Sequence, residues 1–212
     1  MTMKAIFWDN DGVLVDTERL YFSATQQILS TVGVTLTKEM YVDLILVQGK
    51  GAWHLVKEKG ISEDGVGHLR NERNSLYGKL LLQENTIIDG AKEVLDTLHK
   101  KYVMGIVTSS RKDHFELMHQ SSGLLKYFDF ILTGDDYTKY KPNPEPYLMA
   151  VDRSGFKKEE CLAIEDSERG LTSAKAAGIH CYIIPTELTQ NGNFSRADKV
   201  LTNIKDIITS PL

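Results

Sequence analysis

Short apolar runs that alternate with amphipathic stretches restrict the fold of this chain more than any other feature. The apolar runs are KAIFW (4–8), VMGIV (103–107), DFILT (129–133), CLAIE (161–165) and HCYII (180–184). Each contains β-branched or aromatic residues and is bounded by polar residues or Gly, which is typical of buried strands. Amphipathic helical patterns occupy residues 90–102, 112–120, 144–155 and 167–178. This alternation predicts an α/β fold, a doubly wound Rossmann-like parallel sheet with helices on both faces.

One long segment, residues 18–84, contains no convincing strand. Its helical patterns are ERLYFSATQQILSTVG (18–33), TKEMYVDLIL (37–46), GAWHLVKEKG (51–60) and SEDGVGHLRNERNSLYGKLLLQ (62–83). A mostly helical block between the first strand and the rest of a parallel sheet predicts an inserted helical cap domain. We place the cap domain at residues 18–85 and the Rossmann-like core at residues 1–17 and 86–212.

Composition and charge argue against nucleic acids and membranes as partners of this protein. The 212 residues are 42% hydrophobic and carry a net charge of −4, and no long basic run is present, so a nucleic acid partner is not expected. Cys161 and Cys181 lie in apolar runs, which predicts buried thiols in a reducing compartment. The start, MTMKAIFWDNDG, is unlike a signal peptide, and no apolar stretch is long enough to span a membrane. We therefore expect a cytoplasmic monomer with no membrane partner.

An acidic cluster, Asp9-Asn10-Asp11-Gly12, follows the first apolar run directly. The carboxyl ends of the strands in a doubly wound sheet face the ligand crevice. Gly12 permits the tight turn that holds Asp9 and Asp11 near one point. Two carboxylates this close repel each other, so they indicate either a site for a hard cation such as Mg²⁺ or a pair with separate nucleophile and acid/base roles.

Three later strand ends carry groups that complement this cluster. Thr108, Ser109 and Ser110 follow the second run, where hydroxyls and backbone N–H groups beside a helix start suit a phosphate. Lys141 follows the third run, and Glu165 and Asp166 end the fourth. Each group alone has an ordinary structural explanation, but together they would meet at one crevice of the sheet.

The set of motifs resembles the haloacid dehalogenase-like phosphatases that carry a helical cap after the first strand, such as β-phosphoglucomutase and phosphoglycolate phosphatase. The motifs are WDNDGVLVDTE (8–18), VTSS (107–110), KPNPEPY (141–147) and AIEDSERGLTSAKAAG (163–178). Their order and spacing cover nearly the whole chain, although the cap contains no diagnostic motif.

The resemblance implies a mechanism with a role for each matching residue. Asp9 would attack phosphorus and form an aspartyl phosphate, while Asp11 would protonate the leaving alcohol and later activate water. Mg²⁺ would be bound by the Asp9 carboxylate, the Asp11 backbone carbonyl and Asp166, with Glu165 nearby. Thr108 and Lys141 would bind the remaining phosphoryl oxygens.

The resemblance also places substrate recognition in the cap. The loop Gln48-Gly49-Lys50-Gly51 lies where the family carries its specificity loop, so Gln48 and Lys50 join Ser109 as candidate substrate-binding residues. The expected partner is a small phosphorylated metabolite, and Lys50 would meet an anionic group on it.

Two alternatives stay open at this point. A phosphomutase of the β-phosphoglucomutase type would carry a His and an Arg where this chain has Tyr21 and Ala52, and this departure favours hydrolysis. A receiver-like signalling domain also combines acids, a hydroxyl and a lysine at strand ends. Receivers are shorter and have no helical insert, so residues 18–84 count against that alternative.

Overall fold

The core of the molecule is a six-stranded sheet in which every strand pairs in parallel with its neighbours. A computed structural model describes residues 2–211. The strands are β1 (Ala5–Trp8), β2 (Val103–Val107), β3 (Phe130–Leu132), β4 (Cys161–Glu165), β5 (His180–Ile183) and β6 (Lys199–Val200), in the spatial order β3-β2-β1-β4-β5-β6. All five predicted strands are present, and the predicted doubly wound parallel sheet is confirmed.

The helices account for most of the remaining chain. They are α1 (Glu18–Ser30), α2 (Lys38–Tyr41), α3 (Trp53–Lys57), α4 (Glu63–Gln83), α5 (Ala91–Leu98), α6 (Lys112–His119), α7 (Glu145–Ser154), α8 (Glu168–Ala177) and α9 (Asp206–Thr209). A π-helical segment (Val42–Val47) and two short 3₁₀ turns (Leu125–Tyr127 and Lys158–Glu160) complete the set. In the part of the chain described, no helix is both long and apolar enough to cross a membrane.

The chain divides into two compact units. One contains the residues up to Asp16 and those from Ile87 onward, and the other is Thr17–Thr86. The second unit holds α1–α4, has no strand among its residues, and has its own apolar cluster around Leu29, Leu36 and Tyr41. We call these the core unit and the helical unit.

Two of the predicted helices in the helical unit are shorter than their patterns. The pattern at 37–46 gives only α2 before the π-helical segment, in which the Gln48 N–H donates to the Asp43 carbonyl five residues earlier. The pattern at 51–60 gives only α3, which lies between Gly51 (φ +72°) and Gly60 (φ +82°), both in left-handed conformations.

The sheet buries β1 on both faces, and this buries the start of the acidic cluster. Ile6 and Trp8 pack into one apolar cluster with α5 and α6, while Ala5 and Phe7 pack into another with α7 and α8. Trp8 pairs with Ile106 of β2 and Ile164 of β4. The residues that follow these three strands therefore leave the sheet at the same level, at the point where strand order reverses and doubly wound folds bind ligands.

Candidate active site

Lys141 lies at the centre of the groups that gather at this edge of the core unit. Its Nζ is 2.7 Å from Asp9 Oδ1, Glu165 Oε1 and the Val107 carbonyl oxygen, and its side chain is buried. Burial opposes the ammonium charge, but the carboxylates of Asp9 and Glu165 outweigh burial and raise the pKa of Lys141 above its ordinary value of 10.5. Lys141 is therefore a fixed cation beside Asp9.

Asp9 is a buried carboxyl group in surroundings that are too acidic for one lysine to balance. Burial raises its pKa from 3.8 to about 8, Lys141 opposes the shift, and the nearby Glu165 and Asp11 add to it. A nucleophile must be ionised to attack. Additional positive charge at this point would keep Asp9 ionised at neutral pH.

Three buried carboxylates, that of Asp9 included, form a candidate binding site for such a cation. Asp9, Glu165 and Asp166 each offer an oxygen, and these oxygens lie within 4.8 Å of one another. Glu165 Oε1 accepts hydrogen bonds from Lys141 and from the Tyr147 hydroxyl (2.6 Å), while its buried Oε2 has no partner among the described residues. Hard oxygen ligands in this number and spacing fit Mg²⁺.

Two glycines allow the carboxylates to approach the backbone this closely. Gly12 has φ +83°, and a Cβ there would lie 2.5 Å from Asp166 Oδ2. A Cβ on Gly170 in α8 would lie 1.8 Å from Glu165 Oε2. Any larger residue at either position would displace a carboxylate of the cluster.

Asp11 is held by donors from two chain segments. Its Oδ2 accepts from Ser110 Oγ (2.8 Å), Thr108 Oγ1 (3.2 Å) and Asn10 Nδ2 (3.4 Å). Thr108 Oγ1 in turn accepts the Ser110 backbone N–H at 3.0 Å. The residues after β2 therefore hold Asp11, a contact that the sequence does not predict, and their binding of a phosphate stays a prediction.

The structure brings the predicted core residues Asp9, Asp11, Thr108, Lys141, Glu165 and Asp166 together in the core unit, where contacts link each to at least one other. Ser109 is exposed, and it is the neighbouring Ser110 that reaches Asp11. The substrate-binding role of Ser109 stays a prediction.

The predicted specificity loop lies in the helical unit. Gln48 and Lys50 are both exposed. Gln48 Nε2 donates to Asp43 Oδ2 at 2.9 Å, and the Lys50 backbone N–H donates to the Leu44 carbonyl at 3.0 Å, so the loop backbone is fixed while the lysine side chain points to solvent. The roles proposed for both residues also stay predictions.

Sequence reasoning missed three residues of the network around the site, and it gave Ser110 a hydroxyl suited to phosphate but no contact with Asp11. Tyr147 belongs to a motif that was recognised, KPNPEPY, but was given no role of its own. Asn10 lies between the two aspartates, and His119 ends α6, more than a hundred residues away. Only the fold pairs Asn10 with His119, so no local pattern signals their contact.

Comparison with known proteins finds a matching family, related sequences and a similar fold. The family model described as "Haloacid dehalogenase-like hydrolase" matches residues 6–184. A phosphorylated carbohydrates phosphatase from Thermotoga maritima is 31% identical over 183 residues, which is 84% of this chain and 82% of the relative. A phosphoglycolate phosphatase from Photorhabdus laumondii is 28% identical over 98% of this chain and 92% of its own. A crystal structure of β-phosphoglucomutase from Clostridium difficile has a TM-score of 0.81 at 22% identity, covering 97% of this chain and 93% of its own.

The chain therefore belongs to the haloacid dehalogenase-like hydrolases. The predicted resemblance is confirmed, and so is the prediction of an enzyme of the phosphoric monoester hydrolase class. The β-phosphoglucomutase comparison concerns the fold alone.

Proposed function

We propose that this protein is a Mg²⁺-dependent phosphatase that hydrolyses a small phosphorylated metabolite through an aspartyl-phosphate intermediate. The observation that carries the proposal is the position of Asp9. It is buried at the end of β1, 2.7 Å from a fixed cation and beside two further acids, while Asp11, two residues on, is held by hydroxyl groups. A nucleophile and a separate acid/base are the two groups that double displacement at phosphorus requires.

The chain's own residues divide the chemistry as follows. Asp9 attacks phosphorus, the bond to the leaving oxygen breaks, and Asp11 gives its proton to that oxygen. Asp11, now a carboxylate, takes a proton from the water that cleaves the aspartyl phosphate. Lys141 and Thr108 stabilise charge on the phosphoryl oxygens. Mg²⁺, bound by the carboxylates of Asp9 and Asp166 and by the Asp11 carbonyl, would offset the repulsion between nucleophile and phosphate.

Glu165 serves this site mainly through Lys141. Its Oε1 accepts from both Lys141 Nζ and the Tyr147 hydroxyl, so it holds the lysine beside Asp9. This contact supports Glu165 as the residue that orients the lysine.

Hydrolysis is favoured over phosphoryl transfer between sugar positions. Tyr21 and Ala52 stand where the mutases of this family carry a His and an Arg, and the two relatives described above, at 31% and 28% identity, are named as phosphatases. Membership of the family removes the receiver-like alternative. The names of the relatives, which refer to phosphorylated carbohydrates and phosphoglycolate, support a small phosphomonoester as the substrate.

One experiment tests the covalent route. Wild type should release phosphate from p-nitrophenyl phosphate with Mg²⁺ and stop when the metal is chelated, and Asp9→Asn should lose several orders of magnitude in rate. Asp152→Asn, at an exposed carboxylate of α7, is the matched control and should keep full activity. Substantial turnover by Asp9→Asn, or full activity in excess chelator, would contradict the proposal.

A second experiment separates hydrolysis from mutase activity. Rapid conversion of β-glucose 1-phosphate to glucose 6-phosphate, given a trace of the 1,6-bisphosphate, would favour a mutase.

A further inference from the structure

A buried polar chain runs from α6 to the proposed acid/base residue. His119 Nε2 is 2.8 Å from Asn10 Oδ1, and Asn10 Nδ2 is 3.4 Å from Asp11 Oδ2. His119 and Asn10 are both buried, and the Phe115 ring lies 4.6 Å from the His119 ring. The catalytic steps proposed above use neither His119 nor Asn10, although burying two polar side chains is costly unless their hydrogen bonds are satisfied.

The contacts fix which way the Asn10 amide faces. When Asp11 is ionised, its carboxylate only accepts hydrogen bonds, so the NH₂ group of Asn10 faces Asp11 and the carbonyl oxygen Oδ1 faces His119. Nδ2 is also 3.2 Å from Met118 Sδ, which can accept but not donate. His119 must then present a protonated Nε2 to Asn10 Oδ1.

Ser122 favours that tautomer of His119. Its Oγ accepts the Leu124 backbone N–H at 3.1 Å, so its own proton is left for another acceptor. That proton has two acceptors within reach, His119 Nδ1 at 2.9 Å and the His119 carbonyl at 3.4 Å. The shorter contact favours Nδ1 as the acceptor, and a neutral imidazole with Nδ1 as acceptor carries its proton on Nε2.

The orientation of the amide decides where a proton on Asp11 is placed. Oδ2 receives three donors, from Asn10, Thr108 and Ser110. The two hydroxyls can reverse and accept, but the Asn10 NH₂ can only donate, so it opposes a proton on Oδ2. We propose that Asn10 and His119 are positioning residues that place the acid proton of Asp11 on Oδ1.

This inference rests on the proposed function, in which Asp11 gives its proton to the leaving oxygen. In that step the Asp9–phosphorus bond forms, the bond from phosphorus to the leaving oxygen breaks, and its electron pair stays on that oxygen. The Oδ1 proton then neutralises the oxygen, and Asp11 becomes a carboxylate. If the amide turns over, its oxygen faces Oδ2 and stabilises a proton there instead of on Oδ1.

The test compares two leaving groups. An alkyl phosphate needs the acid proton because alkoxide is a poor leaving group, whereas p-nitrophenolate leaves without one. In His119→Leu, kcat/KM for propyl phosphate should fall about threefold to tenfold, while kcat/KM for p-nitrophenyl phosphate changes by less than about twofold. The ratio of the two constants does not depend on the concentration of folded enzyme, so it can be measured even if the variant folds poorly.

Three further variants separate positioning from packing. His119→Gln can still donate to Asn10 Oδ1 and should restore the wild-type ratio. Phe115→Leu disturbs the packing around His119 and should leave the ratio unchanged. Asn10→Leu should lower the ratio as His119→Leu does, and His119→Leu should have no further effect in the Asn10→Leu background.

An equal loss on both substrates, or additive effects of the two leucine substitutions, would overturn this inference. Either result leaves the phosphatase proposal intact, because that proposal depends on hydrolysis of p-nitrophenyl phosphate by the wild-type protein with Mg²⁺.

Discussion

At the scale of single residues, the main feature of the site is the charge balance between its buried carboxylates and Lys141. Asp9, Glu165 and Asp166 are buried close together, and Lys141 is the cation that contacts two of them. Burial without full neutralisation raises the pKa of Asp9 to about 8. This imbalance fits a site that takes up a divalent cation before it reacts.

His119 should make the protein sensitive to acid. Burial lowers its pKa from 6.5 to about 4, against an opposing effect of Asp11. Between these values the unfolded chain binds the proton and the folded protein does not, so stability is complete above pH 6.5 and falls as the pH drops toward 4. The loss is on the order of 3 kcal/mol. His119→Gln should remove this contribution in urea unfolding measured across the same pH range.

The comparison between variant and wild type isolates the histidine. Asp9, whose pKa is raised in the folded protein, contributes with the opposite sign over much of the same range. The informative quantity is therefore the difference between the stability–pH slopes of His119→Gln and wild type. His68→Gln, at an exposed position, is the control and should leave the slope unchanged. Identical slopes for all three proteins would contradict the prediction.

Lys50 should affect substrate choice more than chemistry. Its side chain is exposed on a loop whose backbone is hydrogen-bonded. Losing one charge-assisted hydrogen bond costs about tenfold to a hundredfold in kcat/KM. We expect Lys50→Ala to weaken use of the best anionic metabolite by raising KM, with p-nitrophenyl phosphate hydrolysis nearly unchanged. Lys59→Ala, at another exposed lysine of the helical unit, is the control. Equal losses on both substrates would place Lys50 in the chemistry.

At the scale of elements, the junction between β4 and α8 fixes the position of one carboxylate of the site, Glu165. Ser167 Oγ caps α8 by accepting the Gly170 N–H at 3.1 Å, and Gly170 lies against Glu165 at the end of β4. The helix start therefore packs directly on a carboxylate that Lys141 and Tyr147 hold in place.

Gly170→Ala should damage this junction. Its Cβ would lie 1.8 Å from Glu165 Oε2, and Glu165 cannot move without losing its hydrogen bonds to Lys141 and Tyr147. We therefore expect overpacking to destabilise the folded protein by about 1–3 kcal/mol and to lower kcat. Gly67→Ala is the contrast, because a Cβ there meets nothing within 4 Å and alanine favours the helix by about 0.5–1 kcal/mol. The urea concentration at the unfolding midpoint should therefore be lower than wild type for Gly170→Ala and higher for Gly67→Ala. An unchanged midpoint for Gly170→Ala would refute the argument.

Predictability from sequence also differs among the elements. The predicted strands and the helices beside them form because hydrophobic periodicity and caps are local signals. Gly155 (φ +72°) and Gly178 (φ +81°), the last residues of the patterns at 144–155 and 167–178, cap the C-terminal ends of α7 and α8. β6 has two residues and no such pattern, and it exists only because it pairs with β5. The contact between Asn10 and His119 is likewise set by tertiary packing.

At the scale of the whole chain, every candidate residue of the catalytic chemistry belongs to the core unit. Asp9 and Asp11 precede the helical insertion in sequence, whereas Thr108, Lys141 and Asp166 follow it. The sheet brings these segments together through the parallel pairing of β1 with β2 and β4. Folding of the core unit and formation of the site are therefore coupled, and a ligand of the site should stabilise that unit.

Mg²⁺ should raise the melting temperature of the protein, independently of any activity. A cation at a hundredfold excess over its Kd adds about 2.7 kcal/mol to the stability of the folded state, or about 5–10 °C for a chain of this size. Asp166→Asn removes a carboxylate of the acidic group and should lose most of this shift, whereas Asp152→Asn at the exposed site should keep it. NaCl at matched ionic strength should have little effect, because it screens charges without binding the site. An equal Mg²⁺ shift in wild type and Asp166→Asn would mean that the cation binds elsewhere, and the proposed metal site would have to be abandoned.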